Sequence, residues 1–173
     1  MIVFTLKDSM QSTLLKNKFS YYDIKDLKRN KEYYEKNQII NRWLKWEKPN
    51  KKKVMFAITL GFENYALMNL DILHILVEDD NLALAYNLGF GCSIEFLNWF
   101  TNKCTTDFFI FLNWNSGLAG ACEGGNMEKV EFMIAKGATD WNCGLAQACK
   151  CGNMEIIKLM IAKGATDCKY VWL

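Results

Sequence analysis

The chain has one proline, one histidine and no apolar run approaching the roughly 18 residues needed to cross a bilayer. Its opening, MIVFTL, is shorter than the roughly 7–15 apolar residues of a secretory signal core. Neither a membrane-spanning nor a secreted protein is therefore expected. The expectation is an intracellular, cytoplasmic protein, with the nucleus as an alternative. Disorder is excluded on opposite grounds: 51% of the 173 residues are apolar and 14% aromatic, whereas disorder requires low hydrophobicity and high net charge.

Catalytic constellations are missing too. The single histidine, His74, lies within an apolar helical run at residues 70–77, a setting that suits a structural or surface residue better than a general base. No glycine-rich phosphate loop follows a strand pattern, and no nucleophile elbow occurs. The sequence gives no reason to expect an enzyme, and no cofactor is implied.

Cysteine is plentiful, with seven residues. An odd number in a chain without secretory marks argues against a disulfide framework. Cys143, Cys149, Cys151 and Cys168 could be imagined as metal ligands, but paired C-x₂-C knuckles are lacking and His74 is distant in sequence. No metal is expected. The thiols are read as reduced, small apolar side chains.

Charge is uneven. Residues 1–53 hold 14 Lys/Arg against 6 Asp/Glu, while the rest of the chain is acidic, with 7 against 13. Such asymmetry suggests segments with different roles.

The strongest signal is an internal duplication. Residues 114–140 read WNSGLAGACEGGNMEKVEFMIAKGATD and residues 141–167 read WNCGLAQACKCGNMEIIKLMIAKGATD, identical at 19 of 27 positions. Leu118, Ala121 and Cys122 fall at i, i+3 and i+4, one face of a short helix. Leu145, Ala148 and Cys149 match them. Such small residues imply close approach of neighbouring helices. Gly125 is expected to end the first helix in the left-handed conformation, and Asn126 to cap a second. That second helix has an apolar face of Met127, Val130, Met133 and Ile134, closed by Lys136 and Gly137. Neither hairpin can bury its face alone, so neighbours must stack.

GLAGACEGGNMEKVEFMIAKGA and GLAQACKCGNMEIIKLMIAKGA resemble the helical part of an ankyrin repeat, with its Gly-polar turn and Lys-Gly-Ala ending. The family's Thr-Pro-Leu-His opening is replaced by Ser116-Gly117-Leu118-Ala119 and Cys143-Gly144-Leu145-Ala146, and the period of 27 is about six residues short of the usual 33. The resemblance implies an all-α, ankyrin-like solenoid of stacked helix-turn-helix repeats, with the β-hairpin fingers shortened or absent. It is similar to the short-repeat ankyrin families of giant DNA viruses. It further implies a protein–protein interaction module, conceivably a viral product engaging a host factor.

Fainter units lie upstream. Residues 91–107 align with 124–140, placing Ile94-Glu95 on Met127-Glu128, and AITLGF (57–62) matches AYNLGF (85–90). Residues 67–77 would form the second helix of the earlier unit, followed by an acidic turn at 78–81. The expected organisation is a basic helical segment at 1–53, a degenerate cap, followed by an array over 54–173. Its units are about 54–80, 81–107, 114–140 and 141–167, with an insertion, FFIFLN, at 108–113.

Three groups of candidate binding residues follow. If the insertion protrudes, Phe108, Phe109, Phe111 and Trp114 form an exposed apolar anchor; otherwise they pack between neighbouring helices. Positions that vary between the two copies include Ser116/Cys143, Gly120/Gln147, Glu123/Lys150, Lys129/Ile156 and Val130/Ile157, and are expected to be exposed on a concave contact face. Glu123 and Lys150 are the candidate protein-binding pair among them. Lys48, Lys51, Lys52 and Lys53 form a basic patch suited to nuclear import, nucleic acid or another acidic surface, or else a solvated linker. The partner expected first is a protein; nucleic acid is the alternative, and the oligomeric state stays open.

Overall fold

The computed structural model describes residues 48–103 and 112–167. Residues 1–47, with most of the expected basic segment, lie outside the described residues, as do Phe108, Phe109 and Phe111. The described residues are all-helical and contain no strand. In chain order the helices are α1 (Lys51–Leu60), α2 (Glu63–Leu67), α3 (Leu70–Asp79), α4 (Asn81–Gly91), α5 (Ile94–Lys103), α6 (Trp114–Glu123), α7 (Met127–Ala135), α8 (Trp141–Cys151) and α9 (Met154–Ala162).

The duplicated segment forms two helical hairpins, α6–α7 and α8–α9. Their ends follow the expected capping chemistry. The Asn126 side chain accepts a hydrogen bond from the Lys129 amide at 3.0 Å, and Asn153 accepts from the Ile156 amide at 3.2 Å. Gly125 and Gly152 adopt positive φ of 68° and 76°. At the first of these turns the Asn126 amide donates to the Ala121 carbonyl at 3.3 Å, satisfying acceptors that a helix end leaves open. One turn later, the Ala138 amide donates to Met133 and the Ala165 amide to Met160, both at 3.0 Å.

The connection between hairpins rests on a side chain that the sequence pattern did not single out. Asn115 Oδ1 accepts the amides of Thr139 at 2.7 Å and Asp140 at 3.0 Å. Asn142 Oδ1 repeats this with Thr166 at 2.8 Å and Asp167 at 3.2 Å. Each asparagine thus satisfies two amides of the turn that leaves its own hairpin. Asp140 in that turn then caps α8, accepting from the Cys143 amide at 3.0 Å.

Packing runs along the first helices: α1 lies against α4, α4 against α6, and α6 against α8. The approach of α4 to α6 is backbone to backbone. A Cβ at Gly89 would overlap the Gly117 carbonyl oxygen, and one at Gly120 would overlap that of Tyr86. Between α1 and α4 a Cβ at Gly91 would overlap the Ile58 carbonyl oxygen. Within each hairpin a methionine sulfur occupies the space that a glycine leaves: the Met133 and Met160 sulfurs lie 2.7 Å from where a Cβ at Gly117 and Gly144 would stand. A continuous core follows, including Val54, Ile58, Leu84, Leu88, Leu118, Val130, Leu145 and Ile156.

The earlier unit departs from expectation in three ways. The unit, expected over about 54–80, opens on a helix that begins at Lys51, capped by Asn50, whose side chain accepts from the Lys53 amide at 3.0 Å. The stretch after Gly61 is split into α2 and α3, because Asn69 leaves the helical region at φ −132°, ψ 49°. Its side chain bonds the Tyr65 carbonyl at 2.6 Å instead. The acidic residues at 78–81 do not form a loop: Glu78 and Asp79 finish α3, and Asp80 alone joins it to α4.

Gly120→Ala is expected to destabilise the protein by about 1–3 kcal/mol, since the methyl group must displace backbone. Gly124→Ala, in ordinary helical φ/ψ, brings its added atom to 3.1 Å from the Phe90 carbonyl oxygen, a tight contact without overlap, and should cost less than Gly120→Ala. Urea unfolding of the two variants checks this ordering.

Candidate interaction surface

The C-terminal ends of the first helices bring several expected residues together. Glu123, at the end of α6, accepts a hydrogen bond from the Tyr86 hydroxyl of α4. Lys150 occupies the matching position in α8 and is exposed. It acts on Cys143 of the same helix, lowering a thiol pKa that burial and then Asp140 raise. The charge reversal between the copies thus lies along one edge of packed helices.

Cysteines line this edge without becoming reactive inside it. Burial, with Cys143 and Cys151 nearby, pushes the Cys122 thiol up to about 12. It is a protonated packing residue near neutral pH, as a nucleophile must not be. The Tyr86 hydroxyl is raised by burial and then by Cys143 and Cys122. Cys149 was expected to share the core position of Cys122, yet it is exposed. The reason is positional: α8 covers the side of α6 on which Cys122 lies, and no described helix follows α9. Among the described residues no group of three or more His, Cys, Asp and Glu could hold a metal ion.

Several variable positions are not on a contact face. Gly120 is buried by α4, and Val130 is fully buried. Lys129 is only 4% exposed, and its counterpart Ile156 is fully buried. The Lys129 ammonium donates to the carbonyls of Phe90 at 3.1 Å and Cys92 at 3.0 Å. It therefore closes the C-terminal end of α4, where carbonyls lack helical partners and the dipole favours a cation. The signal for its burial was present in the sequence, since the same position carries isoleucine in the other copy. Beside it, Glu63 accepts from the Ser93 hydroxyl at 3.0 Å, and Ser93 caps α5 by accepting from the Phe96 amide at 3.0 Å. Upstream, Thr59 and Asn87, from matching strings, share a buried hydrogen bond of 2.7 Å.

The basic patch is reduced. Lys53 is 1% exposed and belongs to the interior of α1. Lys48, Lys51 and Lys52 are exposed, and Lys51 pairs with Asp79 at the end of α3. Lys51, Lys52 and Lys53 form the first turn of α1, and Lys48 stands before it. Trp114 opens α6 half-buried and packs against the core, so it is not part of a freely exposed anchor. No described helix is long and apolar enough to cross a membrane. Comparison with protein-family models, curated proteins and solved structures finds no match to this chain.

Burial lowers the Lys129 pKa below its ordinary 10.5, with Cys92 and Glu63 acting in the opposite direction. The unfolded chain then binds more protons than the folded one between the lowered value and 10.5, so this group's contribution to stability rises with pH through that window. Lys129→Met removes two buried hydrogen bonds from a charged donor, at a cost of about 1–3 kcal/mol. The gap between parent and variant should widen in urea unfolding as pH is raised from 7 toward 10.

Proposed function

We propose that this chain is a non-catalytic protein-binding module built as an ankyrin-like solenoid with its fingers trimmed to plain turns. The observation that carries the reading is the repetition of one hairpin with one joint: the same asparagine caps, positive-φ glycines and turn-clamping Asn115 and Asn142 occur in both copies. Repeats stacked through their first helices leave an edge whose residues can vary without disturbing the core. Here that edge presents Glu123 beside Tyr86 and an exposed Lys150. The resemblance to the short viral ankyrin families supports a protein partner, with a host factor as the candidate class.

The reading through nucleic acid is weaker on the described residues. Of the four lysines in its patch, Lys53 is buried and Lys51 is paired. Affinity purification with the full chain separates the two. Under this proposal nuclease-resistant protein partners are recovered, and Lys150→Glu or the triple change Phe108/Phe109/Phe111→Ser depletes them. Recovery dominated by nucleic acid, lost steeply between 50 and 200 mM salt as phosphate contacts are, contradicts it.

A further inference from the structure

We infer that the joint between α4 and the first copy of the duplicated hairpin, α6–α7, is keyed. It accepts that copy and refuses the second, α8–α9, so the order of the two hairpins is written into Gly120, Gly124 and Lys129. The keying is independent of what the array binds.

The two copies differ at eight positions, and these three are fitted to the backbone of the preceding unit. A Cβ at Gly120 would stand 2.0 Å from the Tyr86 carbonyl oxygen and 2.9 Å from its carbon. Both are backbone atoms within α4, which cannot swing aside as the end of a side chain can. The second copy carries Gln147 at this position, a larger residue than the gap admits. At Gly124 a Cβ would stand 3.1 Å from the Phe90 carbonyl oxygen, and the matching Cys151 brings a sulfur to place as well. The Lys129 ammonium donates to the carbonyls of Phe90 at 3.1 Å and Cys92 at 3.0 Å, at the same end of α4. The matching Ile156 has no donor to offer in its side chain.

Between the two copies the joint is built differently, and there the second copy fits. The atom of α6 nearest a Cβ at Gly144 belongs to a side chain, the Cys122 sulfur at 3.4 Å, whereas the α4 atom nearest a Cβ at Gly117 is the Ala85 carbonyl oxygen. Cys151 seats its sulfur against Gly125, 2.8 Å from where a Cβ would stand. Ile156 is fully buried, and a polar bond across this joint comes from Asn153, which donates to the Gly125 carbonyl at 3.1 Å. Glycine is less favourable than glutamine inside a helix, so Gly120 in the first copy alone answers to its neighbour. Of the other differing positions in the first copy, Glu131 is exposed and Ser116, Glu123 and Phe132 are half-buried.

Urea unfolding of the full chain, followed by helical circular dichroism, tests the key by moving second-copy residues into the first copy in two sets. G120Q/G124C/K129I is expected to raise the unfolded-to-folded ratio by more than about a hundredfold. S116C/E123K/E131K/F132L is expected to raise it by less than about tenfold. Val130 is kept in both sets, because isoleucine would overfill a fully buried site. A triple variant whose ratio lies within about tenfold of the four-residue variant overturns the keyed joint. Should the triple variant show no cooperative transition, G120Q alone decides by its sign. Glutamine would lower the ratio in an open helix, so a raised ratio upholds the key and a lowered or unchanged one overturns it.

Discussion

The closeness with which the first helices approach one another governs the rest of the structure. At Gly89, Gly91 and Gly120 the neighbouring backbone occupies the space that any larger residue would need. Once α4 and α6 are set at that distance, the second helices lie where methionine and valine can fill the remaining volume. Met133 and Met160 settle over Gly117 and Gly144 for this reason. Dispersion contacts at that range are individually small and collectively large, and they tolerate no insertion at the interface. Glu123 and Lys150 differ at the edge without disturbing this packing, while a buried difference such as Lys129 against Ile156 is fitted to its own neighbours.

Close packing also creates polar groups that require partners. Helix ends brought against one another hide carbonyls and amides from water, and unpaired buried groups are costly. The structure answers with polar side chains from other elements. Lys129 reaches the end of α4, Asn153 the Gly125 carbonyl, and Asn115 the amides of the turn into α8. These contacts all join residues remote in sequence. Lys129 and Asn153 tie a hairpin to the element before it, and Asn115 ties down the turn that leaves its own hairpin, which fits the view that repeat arrays derive their stability from nearest-neighbour joints.

Much of this was legible in the residues. The duplication, the Gly-Asn turn, the capping asparagines and the small-residue face of the first helix lie within short windows and obey local chemistry. What was not legible depends on neighbours. The burial of Lys129 could be read from the isoleucine at the same position of the other copy, but its partners at the end of α4 could not. Cys149 reads as core by alignment with Cys122, and is exposed because burial belongs to the joint and not to the position. Asn115 looked like one more polar residue in a first turn, since its partners are 24 and 25 residues away. In the earlier unit the period is looser: the helix expected over 67–77 runs over Leu70–Asp79, behind a short α2, with Asn69 between them bonding the Tyr65 carbonyl.

Helices covered on both sides should be the last to open, and this bears most directly on the claim that packed first helices hold the protein together. Native-state hydrogen exchange measures it. The amides of α4 and α6 should exchange only through global unfolding, whereas those of α9, covered on one side, should open at lower free energy. Exchange in α6 as fast as in α9, or through a separate local opening, would contradict the account.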